Sequence, residues 1–422
     1  MAQISVGNRL RRLILVGSGL QAYREYSLAT LAQVYELTLV VPKSPTWQRN
    51  HVATWRVADT ADRAAMLAAV SDLAGGSADT GILTWDEFAV ATTADIAERL
   101  GLRHMSSRAA RACRDKYLSR RLLHQAGLPA VRFRPAPTPD DAVRAALDIG
   151  LPVVVKPRSL GGSAGVTLVT DSGPVFADAA LRTAHAFAAC ARIPGTPERS
   201  NAVLVEEFLD GPEISVDSRV LDGRTDCAIV ARKRTGFAPY FEEIGHLVAP
   251  WGDENWAGDV AELVGAAHDA LGIDNGTTHV EIRLTRRGPR VVEINGRLGG
   301  DLIPYLGMLA TGIDLPRCAA SVAFGERADA TPTRELCAEV RFLYPPYDGV
   351  LERLDLSRAA GVPGIAAATD IAAPGDVLSL PPRGAAERLG ALVAVAPDEA
   401  GCRRALDVAE KQVRLIMVPL RK

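Results

Sequence analysis

The run Val291-Val-Glu-Ile-Asn-Gly-Arg-Leu-Gly-Gly300 constrains this chain more than any other. Its first half is a hydrophobic strand, and Glu293, Asn295 and Arg297 stand at alternate positions. In an extended strand, residues two apart share a face, so a carboxylate, an amide oxygen and a guanidinium converge on one point. A carboxylate and a carbonyl oxygen suit Mg²⁺, and Arg suits a phosphate or carboxylate beside it. Twelve residues upstream, His279-Val-Glu281-Ile-Arg283 is a second strand, and Arg286-Arg-Gly288-Pro forms the turn between them. That length is a β-hairpin, which makes Glu281 and Glu293 cross-strand neighbours. Two adjacent carboxylates repel unless cations lie between them. With Asn295 they form an oxygen-rich set suited to one or two Mg²⁺ ions; a charge pair matched by Arg283 and Arg290 is the alternative.

Two further segments bear on phosphate. Leu151-Pro-Val-Val-Val-Lys156-Pro157 is a strand ending in a lysine, followed by Gly161, Gly162, Ser163 and Gly165. Small residues let backbone N–H groups approach a polyphosphate while the lysine adds positive charge. The lysine precedes the glycines, so this is not a P-loop. Strand Ala202 to Glu207 then breaks into Phe208-Leu209-Asp210-Gly211 before a strand resumes at Glu213. A break of this kind exposes backbone donors and acceptors that can read an adenine edge, with Glu213 within reach of ribose hydroxyls.

The remainder bounds the class. At 422 residues, two to three domains are expected. A balance of 48 Lys+Arg against 50 Asp+Glu gives no reason to expect nucleic acid or an anionic membrane as partner. The six cysteines, at 113, 190, 227, 318, 337 and 402, form no CxxC pair, which fits reduced thiols in a cytoplasm. No signal-like N-terminus or membrane-span run is evident, so a cytoplasmic location is expected. Arg12–Val16, Gly17-Ser-Gly19, a helix to about 35 and the run Leu37 to Val41 open a parallel α/β sheet. The second strand ends Val-Val-Pro-Lys43 without the acid a dinucleotide fold uses on ribose, which disfavours nicotinamide binding. Helices are expected over 64–73, 88–100, 113–126, 140–149, 183–191 and 402–415.

These pieces, in this order, resemble the ATP-grasp superfamily across nearly the whole chain. The resemblance implies an α/β fold: a doubly wound N-terminal domain (1–110), a two-part nucleotide-binding unit (111–328, lid about 130–205) and a small β-rich C-terminal domain (329–422). It implies ATP with Mg²⁺ or Mn²⁺ as cofactors. Lys116 and Lys156 correspond to the nucleotide-contacting lysines, Glu206 and Leu209 to the adenine hinge, and Glu213 to the ribose ligand. Glu281, Glu293 and Asn295 correspond to the metal ligands, and Arg297 to the arginine that stabilises an acyl phosphate, with Arg283 assisting. Phe241-Glu-Glu243-Ile-Gly-His246 and Gly299-Gly300-Asp-Leu-Ile303 are similar to the bacterial L-amino acid ligases that make dipeptides. There Glu243, facing the substrate's ammonium, and His246 would line the substrate pocket together with Arg297 and Gly300; a packed core histidine is the alternative for His246. The implied activity joins a small carboxylate to an amine through an acyl phosphate, and a homodimer is expected by analogy. Bicarbonate or carrier-bound substrates, and a nucleotide-binding module without catalysis, are the competing readings.

Overall fold

Leu13 and Leu15 pack into one hydrophobic cluster, whereas Ile14 and Val16 pack into another. A strand buried on both faces reads as an uninterrupted apolar run, which is why Arg12–Val16 is so legible. In the computed structural model, which describes residues 10–76, 79–170, 173 and 203–420, this strand lies inside a four-stranded parallel sheet. Its neighbours are Glu36–Val41 on one side and Thr80–Thr84 on the other, with Thr54–Val57 beyond. Helix Gln21–Ala32 covers one face; Arg63–Ala74 and Val90–Leu100 cover the other. This is the doubly wound opening expected from the sequence.

The helix expected over 113–126 is instead two helices, Ser107–Arg114 and Lys116–Gln125, which meet at Asp115. The Asp115 side chain accepts from the N–H groups of Tyr117 and Leu118, capping the second helix while Arg158 binds the same carboxylate. Lys116 is thereby fixed at a helix start, close to the strand Val153–Pro157. That strand belongs to a four-stranded antiparallel sheet ordered Phe133–Ala136, Val203–Glu207, Val153–Pro157, Thr167–Val169, covered by helix Pro139–Ile149. The expected helix over 183–191 and part of the expected lid lie outside the described residues.

An eight-stranded antiparallel sheet makes the floor of the molecule. Its order is Gly288–Asn295, Gly276–Thr285, Glu213–Leu221, Arg224–Gly236, Glu242–Val248, Cys337–Leu343, Gly390–Ala396, Ile365–Asp370. The sheet passes without interruption across residue 328, so the C-terminal segment extends the central sheet. A further small sheet joins Gly349–Asp355 to Val377–Leu378 and Arg414–Pro419. The closing helix expected over 402–415 is Glu399–Glu410, followed by that last strand. Leu415 and Met417 turn inward while Arg414, Ile416 and Val418 are exposed, so Arg-Leu-Ile-Met-Val alternates as a strand does. Among the described residues, no helix is long and apolar enough to cross a membrane, and the five described cysteines are free thiols.

Candidate active site

A cleft of about 890 Å³, counting solvent at its mouth, opens between the four-stranded antiparallel sheet and the large sheet. Its wall includes Lys116, Lys156, the loop Leu160–Ala164, Glu206 to Leu209, Glu213, Glu243, Glu281, Arg283, Glu293, Asn295 and Arg297. Segments separated by up to about 180 residues thus meet, as the sequence requires of one site.

Glu281 and Glu293 are direct partners across the hairpin. Lys116 Nζ lies 2.9 Å from Glu293 Oε1. The amide end of Asn295 lies 3.1 Å from Glu293 Oε1 and 3.2 Å from Glu87 Oε2. As an N–H₂ group it donates to both; turned over, it presents its oxygen beside the two carboxylates, where Lys116, Arg114 and Arg297 already supply positive charge. Burial pushes the Glu281 carboxyl above its ordinary range, Lys233 opposes this, and Glu293 adds to it. The donor set of two carboxylates and an amide oxygen therefore fits a hard divalent cation.

The glycine-rich segment after Lys156 is a hairpin loop. Gly162, Ser163 and Gly165 all have positive φ, at 65°, 56° and 74°. Gly162 and Gly165 reach this region freely, and Ser163 is the non-glycine residue held there. Lys156 Nζ is 2.6 Å from Glu206 Oε2, and Arg120 Nε is 2.6 Å from Glu206 Oε1. Burial would raise the Glu206 carboxyl, yet Arg120 and Lys156 outweigh it and hold the group down to about 2. The Glu206 side chain is accordingly committed to two cations, and its backbone lies within a strand paired on both sides. In the hinge itself, Phe208 N–H donates to Pro152 O, 3.2 Å, and Gly211 O accepts from Arg283, 2.8 Å. Phe208 and Phe241 approach within 6.4 Å, with the Arg283 guanidinium beside both rings.

The geometry separates residues that the sequence reading grouped together. Arg283 binds Glu213 at 2.8 Å and lies on the hinge side of the Glu281–Glu293 rung, whereas Arg297 follows Asn295 on the other side. The two arginines therefore do not converge on one oxyanion. Glu213 in turn is held by Arg283 and by Lys233 at 3.1 Å. His246 is fully buried behind Glu243 and is absent from the cleft wall; it bridges Glu243 Oε2 at 3.2 Å and Asp301 Oδ2 at 3.4 Å. Gly300 lies on the loop after Arg297, with open space where a side chain would stand.

Other functional neighbours have no motif to announce them. Glu87 follows strand Thr80–Thr84, binds Arg297 Nε at 2.5 Å and also pairs with Arg114. Burial opposes its ionisation, but Arg297 and Arg114 hold it down to about 2. Its position past the carboxyl end of a parallel strand is the signal that could have found it. Lys233, 1% exposed, contacts Glu243 at 2.8 Å and Glu213 and Glu281 at 3.1 Å each. Arg24 on the first helix donates to Gly299 O, 2.9 Å, and Gly299 N–H donates to Asp217, 2.6 Å, so both ends of that peptide segment are held. A Cβ at Gly299 would come within 2.9 Å of Asp217 and His279.

Comparison with known proteins agrees with this architecture. Residues 149–304 match the family model of the ATP-grasp domain, and 341–418 match that of L-amino acid ligase C-terminal domain 2. The protein y4rH of Sinorhizobium fredii (strain NBRC 101917 / NGR234), described as uncharacterized, is 31% identical over 82% of this chain and 71% of its own length. Alanine–anticapsin ligase of Bacillus subtilis (strain 168) is 29% identical over 62% of this chain; the chain spans only 57% of that ligase's length. The crystal structure of L-amino acid ligase from Bacillus licheniformis superposes with a TM-score of 0.83 at 20% identity, covering 97% of this chain and 99% of that one.

Proposed function

The chain belongs to the ATP-grasp ligases, and on that premise we propose that it joins an amino acid, or an amino-acid-like acid, to a second amine. The observation that carries this reading is the Glu281–Glu293 rung, set beside Lys116, Lys156 and the glycine loop in one cleft. Lys116, Lys156 and the N–H groups of Gly161 to Gly165 hold the polyphosphate of ATP, and Glu213 takes the ribose. Glu281, Glu293 and Asn295 would hold Mg²⁺ or Mn²⁺, which neutralises phosphate charge when bound.

Glu243, on the cleft wall, receives the ammonium of the acid substrate. The substrate carboxylate oxygen attacks the γ-phosphorus, the bond to the bridging oxygen breaks, and ADP leaves an acyl phosphate behind. The second substrate's free amine attacks the acyl carbon; the bond to phosphate breaks, and the nitrogen loses its proton. Arg297, fixed by Glu87, faces the oxyanion that develops. The sheet containing Val153–Pro157, with its covering helix, serves as the lid that keeps water from the acyl phosphate.

Phosphate release from ATP across a panel of L-amino acids, offered singly and in pairs with mass analysis, tests the reading. A pair giving ADP, phosphate and a product of summed mass less water supports it. ATP binding with no stimulation by any acid or pair contradicts it.

A further inference from the structure

Arg388 arrives from the C-terminal segment, just before strand Gly390–Ala396, and is 4% exposed. Its two terminal nitrogens donate to the two oxygens of Asp301, each at 2.7 Å, and one also donates to Glu243 O at 2.9 Å. Nε donates to Tyr344 OH and Nη1 to Tyr23 OH, and the guanidinium lies 3.6 Å over the Phe342 ring. A planar fork bound on both prongs leaves Asp301 no rotational freedom. Asp301 also stands in the left-handed region, with φ 51°, followed by Leu302 at 65°, so its backbone is held against local preference.

From Asp301 a buried series of alternating charges runs to the cleft. His246 Nε2 reaches Asp301 Oδ2 and Glu243 Oε2; the other Glu243 oxygen meets Lys233 at 2.8 Å, and Lys233 meets Glu281. Lys233 and His246 are themselves cross-strand partners. Burial would lower the His246 imidazole, but hydrogen bonds to Asp301 and Glu243 raise it above its ordinary value. Arg388 overcomes burial to hold the Asp301 carboxyl well down.

We propose that Arg388 is a positioning residue for the acid substrate: acting through Asp301 and His246, it fixes the Glu243 carboxylate that receives the substrate's ammonium group. The C-terminal segment then sets affinity for an ammonium-bearing acid without touching it. This rests on the assignment of Glu243 to the acid substrate.

The test compares full-length R388M, R388K and D301N with the unmodified protein. With an amino-acid pair that turns over, R388M raises KM for the acid by about tenfold or more, as loss of an orienting partner does. KM for ATP stays within about twofold, because no contact of Arg388 reaches the nucleotide lysines; R388K, which keeps the charge without the fork, falls between. Equal increases in both KM values, or an unchanged acid KM, overturn the proposal. In ¹⁵N-histidine NMR, D301N moves the His246 imidazolium titration to lower pH because an anionic partner is lost, and R388M moves it to higher pH because a competing cation is lost, while MgADP affinity is unchanged; an unmoved His246 signal overturns the proposal. If no amino-acid pair turns over, the ligase reading fails, and the NMR arm decides the Arg388 assignment alone. If R388M does not fold, R388K and D301N supply both arms.

Discussion

Glu281 and Glu293 face each other across adjacent antiparallel strands, with Lys116 2.9 Å from the second. Lys116 and the Asn295 amide lie on Glu293 and Lys233 lies on Glu281, so a divalent cation entering the site finds the carboxylates already oriented. Replacing Glu293 by Gln is expected to remove Mn²⁺ binding in the presence of ADP and to lower kcat by about 10²- to 10³-fold, the scale of several kcal/mol of lost charge stabilisation. Electron paramagnetic resonance of Mn²⁺ and steady-state ADP release check the two halves separately.

Glu206 presents a different balance. Its carboxylate is bound by Lys156 and Arg120, and all three side chains are nearly inaccessible, at 5% exposure each. Removing the carboxylate leaves two buried cations uncompensated, so E206Q should destabilise the protein by about 3 to 5 kcal/mol. Chemical denaturation measures it; a loss below about 1 kcal/mol would place the pair in the range of exposed ion pairs.

The pH dependence follows from three depressed carboxyls. Glu87, Glu206 and Glu243 are each held down to about 2 from an ordinary 4.5, against the cost of burial, by Arg297 and Arg114, by Arg120 and Lys156, and by Lys233 and His246 respectively. A depressed carboxyl contributes stability that is present above its unfolded value and is lost as pH falls toward its folded value. Stability should therefore fall steeply between about pH 4.5 and 2. His246 is raised, so its contribution is present at low pH and is lost as pH rises through its folded value. E87Q should flatten the acid limb, measured by the midpoint of unfolding against pH.

Gly211 bounds the hinge. Its φ is 133°, and a Cβ there would lie 2.2 Å from the Leu284 carbonyl oxygen, a backbone atom that cannot swing aside. G211A is expected to cost about 1 to 3 kcal/mol, as overpacking does, and to weaken ADP binding more than Mn²⁺ binding. Isothermal titration with each ligand distinguishes the two effects.

Much of this site can be read from the chain because its parts are local. Glu281 and Glu293 are twelve residues apart across the turn Arg286-Arg287, so both fall on one hairpin, and a bulge beside Val292 brings them opposite each other. Period-two alternation likewise puts Asn295 on the same face as Glu293. The partners of other charged groups around the site come from distant segments: Glu87, just past the first sheet, on Arg297; Arg120, from a helix, on Glu206; Arg388, from the C-terminal segment, on Asp301. Nothing in their neighbouring sequence announces them, and they appear only once the fold brings them together. Asp115 shows the same limit at short range. Apolar spacing runs through it as one helix, yet its carboxylate caps the next turn, and only Arg158, 43 residues away, makes its role visible. At the other end, the helix expected over 402–415 stops at Glu410, and pairing with Gly349–Asp355 makes Arg414–Pro419 a strand.

The most direct test of the mechanism follows ¹⁸O from the acid substrate. With both carboxylate oxygens labelled, attack on the γ-phosphorus delivers one labelled oxygen to the released phosphate, so that phosphate is heavier by one ¹⁸O and the other product is ADP. Label recovered in AMP, or phosphate released without label, would contradict carboxylate activation as an acyl phosphate.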